Sequence, residues 1–330
     1  MILVLNCGSQ SIKWKLFNEK LKPIKEGKRV VLNLDNFEED LEEELNLLKS
    51  FDISVVGHRV VHGGSKFLSP TKITSEVIEE LEKLNHLAPL HNPYNILGIK
   101  IAQKTFTEVP NIAVFDTEFF KDLPEKSYTY ALPEEIVKQF GFKRYGFHGI
   151  SHQYVAKKLS GKVITCHLGG GSSITAIKNG KAVDTSMGFT PQEGLIMMTR
   201  PGNIDAGIVL ELVKNFSIEK TSEILNKESG IKGICGQDDM LKVFEMIKAG
   251  DKKAKLALDV FVYSIKKYIG SYFAILDGCD VLVFTGTIGF GSKKIRDMIC
   301  KDLNILKKTK ILAIETDEEL AIAQKIIKIK

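Results

Sequence analysis

Two stretches of this chain repeat one local plan nearly half a chain apart, and that repetition constrains the fold more than any other feature. Ile2–Leu5 is an apolar run, Asn6-Cys7-Gly8-Ser9 a turn, and Ile12-Lys13-Trp14-Lys15-Leu16 an alternating return, the pattern of a β-hairpin. Val163-Ile164-Thr165, then His167-Leu168-Gly169-Gly170-Gly171-Ser172-Ser173-Ile174 and a turn at Asn179-Gly180, follow the same plan. Laying Ser11-Ile12 on Ser173-Ile174 also lays Gly8 on Gly170. A strand, a Gly/Ser turn and a returning strand, met twice, predict an internal duplication into two similar domains. The 330 residues are enough for two.

Between and after the hairpins, helical and strand patterns mix. Phe37–Leu48 and Ser75–Leu84 carry apolar residues at helical spacing, and Leu256–Leu276 reads as a long amphipathic helix. Ile53–Val56, Ile112–Phe115, Val281–Phe284 and Ile311–Ile314 read as buried strands. Asp317–Ile329 reads as a last helix whose opening acids suit its positive end. Strands mixed with helices throughout predict α/β layers.

Composition excludes several function classes. Hydrophobic residues make up 44% and charged residues 26%, which rules out a disordered or collagen-like chain. The net charge of +5 is small and lysines are interspersed with acids, so a nucleic-acid partner is not expected. No apolar run reaches the ~18 residues of a membrane span, and Ile2–Leu5 is too short for a signal sequence, so the expected location is the cytoplasm. The five cysteines (Cys7, Cys166, Cys235, Cys279, Cys300) are scattered without C-x-x-C spacing and read as reduced thiols. Only Arg29, Arg59, Arg144, Arg200 and Arg296 are arginine among 46 basic residues. A lysine-rich chain is expected to keep arginine where a planar, bidentate fork is needed, though a plain compositional bias explains the same count.

Three glycine-rich turns follow apolar strands: Gly8-Ser9-Gln10-Ser11, Gly169-Gly170-Gly171-Ser172-Ser173 and Gly286-Thr287-Ile288-Gly289. Glycine lets backbone N–H groups approach phosphate oxygens, and serine hydroxyls add donors. Three such loops, two of them in repeated hairpins, point to a nucleotide held between two domains. None fits G-x-x-x-x-G-K-[ST] or G-x-G-x-x-G. The His58/His62 and His148/His152 pairs have H-x-x-x-H spacing but lack the glutamate of a zinc motif, so an anion site including Arg59 is the better reading. Arg200, before Pro201-Gly202, reads as a loop residue; two arginines can clamp a carboxylate or a transferring phosphoryl group. Asp116 and Glu118 follow the Ile112–Phe115 strand, where α/β sites commonly lie. Glu318 and Glu319 open the last helix, and Glu319 reads as a simple helix-start acid.

At these residues the sequence resembles the acetate and propionate kinase family, within the actin-like, sugar-kinase and Hsp70 ATPase superfamily. The matching segments run from Asn6-Cys7-Gly8-Ser9 through Gly57-His58-Arg59-Val60-Val61-His62-Gly63-Gly64 and Leu87-Ala88-Pro89-Leu90-His91-Asn92-Pro93. They continue through Val114-Phe115-Asp116-Thr117, Tyr145-Gly146-Phe147-His148-Gly149-Ile150-Ser151-His152, Asp184–Pro191 and Thr316-Asp317-Glu318-Glu319-Leu320.

The resemblance implies two duplicated actin-like (ribonuclease H-like) α/β domains with mixed sheets, helices on their flanks and a cleft between them. The expected division is 1–149 plus 312–330 against 150–311. It implies reversible phosphoryl transfer between ATP and acetate, giving acetyl phosphate and ADP, in a Mg²⁺-dependent homodimer in which Mn²⁺ can substitute. Arg59 and Arg200 would hold the carboxylate and the moving phosphoryl group, His148 would donate to it, and Asp116 would orient. Asn6 and Glu318 would belong to the metal site. Val61, Leu90, His91, Phe147 and Pro191 would line the acyl pocket. Ser9, Ser11 and Lys13 with His167, Leu168, Gly169, Gly170 and Gly171 would meet the phosphates. Asp239, Met240 and Leu241 with Gly286, Thr287, Ile288, Gly289 and Phe290 would meet the nucleoside. The chemistry agrees: a carboxylate, titrating near pH ~4, is already ionised and needs positioning and charge neutralisation rather than a strong base.

The sequence departs from the family on the nucleotide side. Gly170 stands for an Asn, and Gln10 for a Ser. Thr287, Phe290 and Gly291 stand for Gly, Glu and Asn, and the arginine of an S-x-D-x-R segment is missing around Asp239. Alternatives therefore stay open: pyrophosphate, phosphate or another nucleotide as donor, a propionate- or butyrate-preferring kinase, or a non-catalytic actin-like nucleotide-binding protein. The enzymatic reading requires Arg59, Asp116, His148 and Arg200 to converge on one anion-filled hollow.

Overall fold

β1 (Ile2–Gly8) and β2 (Ser11–Phe17) form the expected hairpin, with Gly8 opposite Ser11. The computed structural model describes residues 1–9, 11–31 and 33–329, so Gln10 lies outside the described residues. β3 (Pro23–Val30) continues the antiparallel meander, and β4 (Val55–Val60) and β6 (Asn111–Phe115) add parallel strands on the other side of β1. With the short β5 (Thr71–Lys72), the sheet order is β3-β2-β1-β4-β6-β5.

The second sheet repeats this plan. β7 (Lys162–Leu168), β8 (Ser172–Lys178) and β9 (Lys181–Thr185) form a meander, and β10 (Val281–Thr285) and β11 (Lys310–Ala313) run parallel beyond β7, in the order β11-β10-β7-β8-β9. The expected duplication is thus present, but its register differs from the one read from sequence. Leu168 pairs with Ser172 as Gly8 pairs with Ser11, so the second turn holds one residue more and Gly8 does not fall on Gly170.

The chain divides into two compact units, 1–121 with 147–154 and 317–330, and 122–146 with 155–316. These boundaries differ from the expected ones. Residues 122–146 belong to the second unit, where Arg144 Nη1 donates to the Ser186 carbonyl (3.2 Å) and Ser127 Oγ to the Val183 carbonyl (2.7 Å). Residues 150–154 stay with the first, where Ile150 is buried beside Val114 and Ile322. A cut at 311/312 would fall inside β11.

β1 is buried on both faces. Leu3, Leu5 and Cys7 pack under the Phe37–Asn46 and Asn92–Thr105 helices. Ile2 and Val4 pack under the C-terminal helix Glu318–Ile326, whose Ala321, Ile322, Ala323 and Ile326 form its buried face. That helix lies close because β4 carries Gly57: a Cβ there would stand 2.7 Å from Ile326 Cδ1 and 3.0 Å from Ile322 Cγ2. In the second unit the Lys252–Leu276 helix supplies Phe261, Ile265 and Ile269 to a core closed by Ile164, Leu168, Leu282 and Phe284. Among the described residues no helix is long and apolar enough to cross a membrane.

Candidate active site

Strand alternation places the first unit's polar cluster. Successive side chains of a strand point to opposite faces. On β1 the face toward the C-terminal helix runs Ile2, Val4, Asn6; on β4 it runs Val55, Gly57, Arg59; at β6 it runs Ile112, Val114, Asp116. β1, β4 and β6 are parallel neighbours, with Leu5 level with His58 and Arg59 with Val114. Three adjacent strands therefore each deliver one polar residue beyond an apolar run, at the carboxyl end of the sheet where α/β folds bind ligands.

These residues touch. Arg59 donates to Asp116 Oδ2 from Nη2 (2.7 Å) and from Nε (3.1 Å). Its Nη1 lies 3.1 Å from Glu318 Oε2 and donates to Asn6 Oδ1 at 3.4 Å. Asn6 Nδ2 in turn donates to Glu319 Oε1 (3.1 Å). Glu319 is thus more than the helix-start acid its position suggested. The C-terminal helix is held by further ties, from Lys15 to Asp317 (3.0 Å) and from the half-buried Lys325 to Glu118 (2.8 Å). Lys13, opposite Asn6 in the β1–β2 register, shares its face of the hairpin. Burial works against the charge on Arg59, but Asp116 and Glu318 beside it hold its pKa above the ordinary value, so it is a fixed cation. Burial raises the Asp116 carboxyl, and the nearby Glu318 adds to that against the pull of Arg59.

Asp116 is also where His148 enters. Gly149 begins the helix Gly149–Ala156, and a Cβ on it would stand 1.8 Å from the Asp116 carbonyl oxygen. Only glycine permits that approach. The next N–H, that of Ile150, donates to Asp116 Oδ1 (3.3 Å). His148 turns the chain into this contact with a left-handed backbone (φ 56°), which costs about 1 kcal/mol for a residue with a Cβ. Phe147 is buried edge-on to His62, ring centroids 5.3 Å apart. Val61 is buried too, its N–H accepted by Asn95 Oδ1 (3.0 Å), while Asn92 Oδ1 accepts from His62 N–H (3.0 Å). Leu90 and His91 are half-buried just before the helix that carries both asparagines. Sequence reasoning passed over Asn92 and Asn95 as parts of the site's frame. Their signal was an amide pair three residues apart on one helix. In the His58/His62 pair, His58 bonds Asn111 Oδ1 (2.7 Å), and His62 Nδ1 accepts from Gly64 N–H (2.9 Å).

The second unit carries the other candidates. Arg200 is buried, its Nη1 donating to the Pro191 carbonyl (2.6 Å) and its Nε without a hydrogen-bond partner. Burial alone lowers its pKa to about 10, with no carboxylate acting on it among the described residues. A buried cation in that state is prepared for an anion. Its loop borders the second glycine turn, since Met198 N–H donates to the Gly170 carbonyl (3.2 Å). At that turn Gly169 N–H bonds the Gly171 carbonyl (3.0 Å), and Thr285 Oγ1 lies 3.3 Å from His167 Nδ1. The expected third loop, Gly286–Gly289, is instead one short helical turn; Gly286 needs its positive φ of 76° and lies against the Leu168 backbone. Thr287 Oγ1 stands 3.3 Å from where a Cβ on Gly169 would be. Leu168, Met240 and Ile288 turn their side chains into the core, and Asp239 caps the Met240–Lys248 helix by accepting from Leu241 N–H (2.8 Å). Leu241 and Phe290 are exposed. Ser9 and Ser11 flank the first turn.

A doubled α/β plan, with one part-buried and one buried guanidinium group and a glycine turn entering the second meander, suits the binding of anionic groups. The acetokinase family model matches residues 24–326. An acetate kinase of Carboxydothermus hydrogenoformans is 40% identical, over 99% of this chain and 98% of the relative. The crystal structure of Porphyromonas gingivalis acetate kinase, 36% identical, superposes with a TM-score of 0.87 over 100% of this chain and 99% of that one. A propionate kinase structure from Francisella tularensis gives 36% and 0.87 over 98% of each chain. The chain belongs to the acetokinase family.

Proposed function

We propose that the chain transfers the γ-phosphoryl group of ATP to acetate, reversibly, giving acetyl phosphate and ADP. An acetate oxygen forms a bond to the γ-phosphorus as the bond to the β,γ-bridging oxygen breaks, and ADP leaves with that electron pair. No base is needed, because the nucleophile is already ionised. The work of the protein is alignment and charge neutralisation. Arg59, oriented by Asp116, takes the carboxylate and the equatorial phosphoryl oxygens; Arg200 supplies a second guanidinium to the same group, and His148 donates a hydrogen bond to it. Val61, Leu90, His91, Phe147 and Pro191 enclose the acyl methyl group. Ser9, Ser11, Lys13 and the His167–Gly171 segment take the nucleotide phosphates. The observation that carries this reading is the strand-end cluster of Asn6, Arg59 and Asp116 under Glu318, in a chain of this family.

A divalent metal fits the first unit. Asn6 Oδ1 and Glu318 Oε2 already face one positive nitrogen, Arg59 Nη1, and both are hard oxygen donors suited to Mg²⁺ or Mn²⁺. Among the described residues no three His, Cys, Asp or Glu side chains form a metal centre. Magnesium, which keeps waters and substrate phosphates among its ligands, does not require one. When bound, the ion would neutralise charge on the nucleotide phosphates.

The protein is proposed to act in the cytoplasm as a homodimer. The Ala206–Asn215 helix buries none of its residues in this chain, leaving Ile208, Leu210 and Val213 exposed for a second copy. The likeness to a propionate kinase supports a second reading, a longer acyl substrate. Trapping the acyl phosphate with hydroxylamine tests the reaction and its substrates. Acetate, propionate and butyrate are each offered with ATP, GTP or pyrophosphate; acetate with ATP is expected to lead. No hydroxamate from any pair would overturn the reading.

A further inference from the structure

A primary amide has one donating and one accepting end, and at Asn6 each end meets a group that can play only one part. Its Nδ2 faces Glu319 Oε1 at 3.1 Å, and a carboxylate oxygen accepts. Its Oδ1 faces Arg59 Nη1 at 3.4 Å, and a guanidinium only donates. Flipping the amide would lose both bonds, setting Nδ2 against a cation and the oxygen against a carboxylate. Glu318 and Glu319 divide the work, since consecutive helix residues point about 100° apart. Glu318 goes to Arg59 and Glu319 to Asn6. The result is two oxygens, Asn6 Oδ1 and Glu318 Oε2, held toward one positive point.

We infer that Glu319 is a positioning residue: it holds the Asn6 amide with its oxygen on the side of Arg59 and Glu318, the orientation from which, on the reading proposed above, that oxygen would help to hold the divalent metal. It touches neither substrate nor metal and acts through Asn6.

Two readouts test this in the full-length protein. In metal-free protein, the side-chain amide protons of Asn6 exchange more slowly than in Glu319→Ala; equal exchange overturns the inference. With ADP present, Mn²⁺ binding followed by paramagnetic resonance weakens ~10–100-fold in Glu319→Ala, the usual scale for losing the partner that orients a metal ligand. Glu319→Gln keeps an accepting oxygen and binds Mn²⁺ close to wild type. If it is as weak as Glu319→Ala, charge alone matters and the inference is wrong. The double variant N6D/E319Q reverses the bond, a glutamine amide now donating to an aspartate oxygen, and binds Mn²⁺ more tightly than Glu319→Ala. Failure of that rescue also counts against it. Glu318→Gln separates the two levels. Unchanged Mn²⁺ binding there removes the metal assignment, while the amide exchange still decides the role of Glu319.

Discussion

Arg59 spends two nitrogens on a single oxygen of Asp116, Nη2 at 2.7 Å and Nε at 3.1 Å, and so leaves Nη1 turned toward Asn6 and Glu318. The fork is fixed by an acid that is fully buried and that also accepts from Ile150 N–H. On the proposed reading Asp116 serves as the anchor of a cation rather than as a base.

Removing that anchor leaves a largely buried guanidinium with Glu318 as its one ion-pair partner among the described residues and Asn6 as a further acceptor. Asp116→Ala is expected to lower stability by about 3 kcal/mol, toward the lower end for breaking a buried pair. Urea unfolding checks it. A change within experimental error would show that Asp116 is not what fixes Arg59.

Arg200 predicts the opposite pattern. Among the described residues no acid loses a partner when it goes, so Arg200→Met is expected to be as stable as wild type or more so without ligand, while turnover falls at least ~10²-fold. Inorganic phosphate should raise the melting temperature of the wild type and leave that of the variant unmoved. Equal phosphate stabilisation in both would remove Arg200 from the anion site.

Gly149→Ala places a methyl group 1.8 Å from the Asp116 carbonyl oxygen, so backbone must move. A loss of at least ~2 kcal/mol is expected, with His148 displaced and turnover reduced. Gly170→Ala, which meets nothing within 4 Å, is the matched control and should be tolerated by the fold. Similar losses in the two variants would deny Gly149 its packing role.

The strand-end geometry was legible in part. Ile2–Leu5 and Ile112–Phe115 could be read as strands leading to Asn6 and Asp116, and the repeated hairpin did announce two similar sheets. The hydrophobic pattern, however, places Asn6 in the turn and makes Ile53–Val56 the middle strand, whereas β1 runs to Gly8 and β4 is Val55–Val60 and contains Arg59. The loop register could not be read, because one extra residue in the second turn changes no hydrophobic pattern. Segment 122–146 could not be assigned either. Its membership of the second unit rests on Arg144 and Ser127 reaching backbone carbonyls, which sequence periodicity does not encode. Glu319 was discounted for the same reason: an acid in a helix's first turn looks alike whether or not an asparagine on β1 comes to meet it. Four residues were expected to converge. Arg59, Asp116 and the chain at His148 come together in the first unit, and Arg200 lies in the second.

His58 gives a pH test. Burial lowers its pKa from 6.5 to about 4, while Asn111 beside it offsets only part of that fall. Between those values the unfolded chain takes up a proton that the folded chain refuses, so stability falls as pH drops through the window. Above it the contribution is constant. The loss reaches roughly 3 kcal/mol at the acid end of the window, about 2 kcal/mol of it by about pH 5, and the difference between wild type and His58→Asn in urea midpoint, followed from about pH 7 to about pH 5, isolates that part. A pH-independent difference would mean that His58 is not held neutral.

The central claim is that the guanidinium of Arg59 neutralises charge as the phosphoryl group moves to the carboxylate. Turnover of Arg59→Ala at saturating acetate and MgATP, measured with and without added guanidinium ion, addresses it most directly. Turnover is predicted to fall at least ~10²-fold and to recover in part when guanidinium is supplied. A variant that turns over like the wild type would contradict the account.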